Sequence, residues 1–141
     1  MIMAKEIKRQ RNSYKFQYAA KFICTANIPG TSQTTDAFVP GSYQTVVNIH
    51  NPQNNSIKVR KKIASPIEIS EYFGTIMKPD AVERTTCAQL GDFGVHLIHG
   101  FEGFLVIESS HSLDVVAVYT AAGNQGQVSS MDVEQIKERK L

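Results

Sequence analysis

The chain has 141 residues, with 15 Lys and Arg against 13 Asp and Glu, 42% hydrophobic residues and no Trp. That length suits one domain able to bury a core without covalent staples. A net charge of +2 excludes any bulk-charge argument for coating nucleic acid or an anionic membrane. No apolar run approaches the ~20 residues of a membrane span. The basic N-terminus lacks a signal peptide's ~7–15-residue apolar core, because Lys21 interrupts Ala19 to Cys24. A cytoplasmic protein without membrane insertion is the expectation.

The clearest element runs from Tyr14 to Ile28. Its even positions, Tyr14, Phe16, Tyr18, Ala20, Phe22, Cys24, Ala26 and Ile28, are apolar, while most odd positions are polar. Alternation at period two predicts a strand with one buried face. Such a strand would span roughly 50 Å at ~3.3 Å per residue. A domain of this size is only about 35 Å across. The strand must therefore bend between layers or reach a neighbouring subunit.

Pro29-Gly30 and the segment Thr31 to Gly41 read as a loop. Tyr43 to His50 is the next strand, with Tyr43, Thr45, Val47 and Ile49 on one side. Asn51-Pro52-Gln53-Asn54-Asn55 has turn chemistry, and Ser56 to Ala64 returns with Ile57, Val59 and Ile63 inward. The two predict a hairpin. Ile67 and Ile69 alternate after Pro66, but Tyr72, Phe73, Ile76 and Met77 show no clean period. Lys78-Pro79-Asp80 is a turn, and Ala81 to Cys87 reads as a short strand. Cys87 to Phe93 fits one helical turn ended by Gly91. Phe101 to Glu108 and Leu113 to Ala122, joined by Ser109-Ser110-His111-Ser112, predict a second hairpin. Its second arm is apolar on both faces, as in a strand covered on both sides. From Val128 an extended segment with Met131 and Val133, followed by a charged end, is preferred over a helix.

These elements predict an all-β fold: an antiparallel two-sheet β-sandwich of seven or eight strands with at most one short helical turn. Residues 1–13 form a basic arm, 14–136 the domain and 137–141 a charged tail. Cys24 and Cys87 pair only if their Cα atoms come within roughly 7 Å. Two buried thiols are expected instead.

Reactive constellations are sparse. His96 and His99 are three apart, with His111 and Cys87 elsewhere. On a strand, that odd spacing sends the two histidines to opposite faces, so no metal site is expected. Whether His96, His99 and His111 converge is left to the fold. Ser109, Ser110, Ser112, His111 and Asp114 are too close in sequence for a triad and read as a polar hairpin tip. Glu102 and Glu108 share a strand face but lie roughly 20 Å apart at ~3.3 Å per residue, too far for paired acid–base work. A Glu108–Asp114 pair across the turn remains open. Phosphate-loop motifs are absent.

The most concentrated chemistry is basic. Lys5, Lys8, Arg9, Arg11, Lys15 and Lys21, against Glu6, open the chain, and Lys58, Arg60, Lys61 and Lys62 follow later. Alternation puts Lys58, Arg60 and Lys62 on one outward face, a candidate anion site. Lysines on an edge also block unwanted strand pairing. Stacking aromatics are not expected beside them, since Tyr14, Phe16 and Tyr18 are assigned to the buried side.

The runs Gln44-Thr45-Val46-Val47-Asn48-Ile49-His50-Asn51-Pro52, Gly103 to Ser110, Leu113 to Ala121 and Met131-Asp132-Val133-Glu134 resemble uncharacterised bacterial β-sandwich proteins of this length. More distantly, the order of elements resembles the sensory rhodopsin transducer family, in which an Ile-Pro end and a loop precede a strand ending in Asn. Ile28-Pro29 and Asn51 occupy those places here. The likeness covers roughly Ile23 to Tyr119 and rests on strand patterns. It implies a cofactor-free, non-catalytic β-sandwich that assembles as a homo-oligomer and binds a protein or small-molecule partner. The lack of Trp and the longer basic arm depart from the family, so a rhodopsin partner is not carried over. An enzyme whose groups meet only in three dimensions, with or without a metal, is the alternative reading. A weak anion or nucleic-acid binder using the basic strand and arm is another, although nucleic acid is not the expected partner.

Overall fold

The computed structural model describes residues 13–27, 36–95, 100–123 and 127–141. Nine strands account for most of them: β1 (Phe16–Asn27), β2 (Gly41–His50), β3 (Ile57–Ala64), β4 (Phe73–Met77), β5 (Val82–Thr85), β6 (Phe101–Ser109), β7 (Asp114–Ala122), β8 (Val128–Gln135) and β9 (Arg139–Lys140). A 3-10 helix, Cys87–Phe93, separates β5 from β6. The fold is all-β and antiparallel. No helix among the described residues is long and apolar enough to cross a membrane.

The hydrogen bonding runs β4-β3-β6-β1-β2-β7-β8, with β5 added to β2 and β9 to β1. The long first strand handles its length by changing neighbours. Phe16 to Cys24 pair with β6 along one edge. On the other edge Phe16 and Gln17 take β9, while Cys24 to Asn27 take β2. β2 divides in the same way, giving Gly41 to Gln44 to the end of β1 and Val47 to His50 to β5. One arm is therefore β4-β3-β6-β1 and the other β2-β7-β8 with β5. Pairing is continuous through the β1–β2 corner, so the strands trace one bent sheet and the hydrogen bonding does not divide it in two. Inward residues of both arms share one cluster: Tyr18, Phe22, Ile63 and Leu105 from the first, Val47, Ile49 and Val115 from the second. Each such side chain contributes roughly 1.5–3 kcal/mol by burial.

Both expected hairpins are corrected by the pairing. β2 and β3 do not pair, because β3 lies between β4 and β6. β6 and β7 do not pair either, because β6 lies between β3 and β1 while β7 lies between β2 and β8. Each turn instead carries the chain from one arm to the other. Alternation within these two strands matches the burial, since Ile57, Val59 and Ile63 are buried, as are Thr45, Val47 and Ile49. It breaks at the end of β1, where Asn27 and not Ala26 is buried, and β7 is buried on one face only instead of both. Turn chemistry marks where a strand stops, not which strand it pairs with.

Cys24 and Cys87 form a disulfide, with Cα atoms 5.7 Å apart, in place of two buried thiols. The bond ties the 3-10 helix to β1 across 63 residues of sequence. That helix ends at Gly94 in the left-handed region (φ 76°), three residues beyond the expected Gly91. The segment after Val128 is extended as expected. The charged end pairs with β1 through β9, and Ile136 is buried. Tyr18, buried in the core, donates its hydroxyl hydrogen to Glu138 (2.6 Å) and accepts one from the Leu113 amide (2.8 Å). Burial, then Glu138, push the Tyr18 hydroxyl up to about 12. Hydrogen bonds from Ser112 and Tyr18 lower the Glu138 carboxyl.

Candidate functional site

Three polar clusters lie at the surface, and the basic strand holds the first. The Arg60 guanidinium donates to Glu108 through Nε (2.8 Å) and a terminal nitrogen (2.5 Å). Its carbon lies 4.2 Å from the Tyr14 ring centroid and 4.1 Å from that of Tyr72. The planar cation is thus sandwiched between two aromatic faces, a geometry that suits guanidinium. Glu108 is nearly fully buried and also accepts from Gln17 Nε2 (2.9 Å), while Gln17 Oε1 accepts from Arg139 (2.7 Å). Burial, followed by the charge of Glu108, pushes the Tyr72 hydroxyl up to about 12.

Of the three residues assigned to anion binding, Arg60 is therefore occupied by a carboxylate. Lys58 is exposed, and Lys62 lies 4.7 Å over the Tyr72 ring. The expectation that this face lacks aromatics is corrected. Tyr14 precedes the first strand residue, so alternation along β1 does not set its direction, and Tyr72 comes from the connection before β4. Lys61 points the other way, toward the second arm, reaching Thr85 Oγ1 (3.2 Å) and Glu83 (3.5 Å) on β5.

The second cluster lies where the turns meet. His50 at the end of β2 touches Asp114 through Nδ1 (2.7 Å) and Asp80 through Nε2 (2.6 Å). The hydrogen bonds with Asp114, then Asp80, raise the His50 pKa. With a carboxylate at each nitrogen, the ring suits the doubly protonated form and offers no free nitrogen to act as base or ligand. Beside it Asn51 is fully buried. Its amide donates to the carbonyls of Asn55 (3.0 Å), Met77 (3.1 Å) and Lys78 (3.0 Å), and its oxygen accepts from the Gln53 amide (2.9 Å). Gln53 donates onward to the Ser112 carbonyl (3.2 Å). Asp114 is committed to His50 and does not meet Glu108. Glu102 pairs with Lys21.

No family model matches the chain, and no curated protein does. Among solved structures it is similar to the crystal structure of Thermotoga maritima 1070, with a TM-score of 0.57 and 10% identity over 89% of this chain and 93% of that one. The likeness is one of fold. It assigns no residue a role.

The histidine reading finds no metal centre among the described residues. His96 and His99 lie outside them, His111 contacts Ser110 Oγ (3.0 Å), and Cys87 is in the disulfide. Ser109 Oγ donates to the His111 carbonyl (2.6 Å), so the tip residues bond to one another as a turn does.

The third cluster was not singled out from sequence. β8 is exposed along all eight residues and, among the described strands, pairs only with β7. Its register sets Met131 opposite Thr120 and Val133 opposite Val118, on the outer face that also carries Val46. Asp132 lies opposite Tyr119 and Glu134 opposite Ala117, on the core side. The Tyr119 hydroxyl is buried with no hydrogen-bond partner among the described residues. Burial, then the charges of Glu134 and Asp132, push it up to about 12. A pit of about 90 Å³ opens here, lined by Tyr43, Tyr119, Ser130 and Asp132 among others. The signal available in sequence was the alternation Met131-Asp132-Val133-Glu134.

Proposed function

We propose that this chain is a non-catalytic β-sandwich that self-assembles and binds a partner, the bent sheet working as two packed layers around one core. The observation that carries this reading is the outer face of β2, β7 and β8. There Val46 and Val118 line up with Val133, flanked by Val116 and Met131, and Val133 and Met131 are 58% and 65% exposed. A contiguous apolar patch of this kind marks an interaction surface more often than it marks bare surface. The reactive side chains support the same reading, since Arg60 is bound to Glu108, and His50 to Asp114 and Asp80. The disulfide supports an oxidising compartment in place of the cytoplasm.

Sedimentation velocity tests the assembly. The wild-type chain should sediment as an oligomer, and Met131→Lys with Val133→Lys should shift it toward the monomer. A wild-type chain that stays monomeric at every concentration would refute the assembly reading.

A further inference from the structure

β8 presents three features together: a free edge, an apolar face and an acidic face. Away from β7 its amides and carbonyls have no strand partner among the described residues. Met131 and Val133 occupy the outer side. Asp132 and Glu134 occupy the other, beside the unpartnered Tyr119 hydroxyl. All four β8 side chains are exposed.

We propose that the β8 edge is a docking site for an extended protein segment of alternating apolar and basic residues, added as a further antiparallel strand. Main-chain hydrogen bonds to a free edge provide affinity, and the alternating side chains provide selection. A strand laid against β8 places every second side chain on each face. Apolar residues would continue the Met131–Val133 row. Lys or Arg would meet Asp132 and Glu134.

Charged edge strands usually discourage association. Here both charges have one sign and lie on one face, so they repel an acidic edge and attract a basic one. The same feature disfavours a second copy of β8. Two-fold antiparallel pairing centred on Asp132 sets that carboxylate against its own copy, and pairing centred on Val133 sets Asp132 against Glu134.

This inference rests on the partner-binding half of the proposed function and is independent of the assembly half. The probe is a labelled eight-residue peptide of alternating Val and Lys, followed by fluorescence anisotropy with full-length protein. Hydrogen exchange is read on the β8 amides in parallel. Binding should protect those amides. Asp132→Lys with Glu134→Lys, at exposed positions, should weaken the Val-Lys peptide by about tenfold or more and bring in a Val-Glu peptide instead. Two results would overturn the proposal: equal binding of a peptide with the same residues in two blocks, or binding that leaves β8 exchange unchanged. β8 amides already protected by self-association without peptide would overturn it as well. Oligomerisation lost in sedimentation with peptide binding intact would instead count against the assembly reading alone.

Discussion

Asn51 offers the sharpest test of how the two arms are joined. Its side chain is fully buried, and its amide and oxygen reach four backbone groups in the β2–β3 and β4–β5 turns. Asn51→Ala removes the partner of the Gln53 amide and of three carbonyls, of which that of Met77 is buried. A buried group left without its partner costs about 1–3 kcal/mol, and a carbonyl with a second partner costs less. The Lys78 carbonyl still accepts from the Ala81 amide, and the exposed Asn55 and Lys78 can turn to water, so a total near 3 kcal/mol is expected rather than the simple sum. With a urea slope of about 2 kcal/mol/M, the unfolding midpoint should fall by roughly 1.5 M. Asn51→Asp sharpens the test. Its carboxylate would face three carbonyls in burial, so its pKa should rise in the folded state. The folded protein then binds more protons than the unfolded chain, and stability falls as pH rises through that window. The Asp variant should therefore be closest to wild type at acid pH and worst at neutral pH, while the Ala variant shows no such added slope. A midpoint shift below about 0.3 M for Asn51→Ala would refute the reasoning, since the amide would then be replaceable by water.

Three further outcomes follow from the other clusters. The raised pKa of His50 means that its stabilisation is full below the ordinary histidine value and is lost as pH rises through the folded one. His50→Gln should flatten that part of the melting-temperature profile, and an unchanged profile would show that the ring is not charged in the fold. Reducing the Cys24–Cys87 bond opens a 63-residue separation, for which the chain-entropy relation gives roughly 4 kcal/mol. Cys87→Ala and dithiothreitol-treated wild type should lose the same stability in urea, and a large difference between them would implicate native packing instead. Arg60→Ala leaves Glu108 buried and unpaired, at a cost of about 3 kcal/mol, whereas replacing both by apolar residues should cost clearly less. Additive losses in that double-mutant cycle would mean that the pair is not coupled.

The strands were legible because alternation is a local signal. Tyr18, Ala20 and Phe22, then Ile57, Val59 and Ile63, then Val47 and Ile49, all face the core as their spacing demands. Partner choice was not legible. Asn51 to Asn55 and Ser109 to Ser112 carry the residues of hairpin turns, yet both turns cross between arms, because β3 finds its neighbour in β6 and β7 finds its neighbour in β2, far away in sequence. The disulfide has the same origin: only the path of β1 past the 3-10 helix brings Cys24 to Cys87.

The candidate sites divide along the same line. The basic strand looked like an anion site because Lys58, Arg60 and Lys62 alternate, and that alternation places Arg60 opposite Glu108 on β6. Charge counted along one strand cannot reveal a carboxylate supplied by its neighbour, so the strongest cation of the set turned out to be neutralised. β8 is the converse. Its alternation of Met131 and Val133 with Asp132 and Glu134 is as regular as that of any core strand. A core strand, however, has a second neighbour to satisfy its free edge, and β8 has none among the described strands. Regular two-faced patterning on an unpaired edge is costly to keep exposed unless something covers it. That mismatch between pattern and pairing, and not any single reactive residue, is what singles out β8 as the surface through which this fold meets its partner.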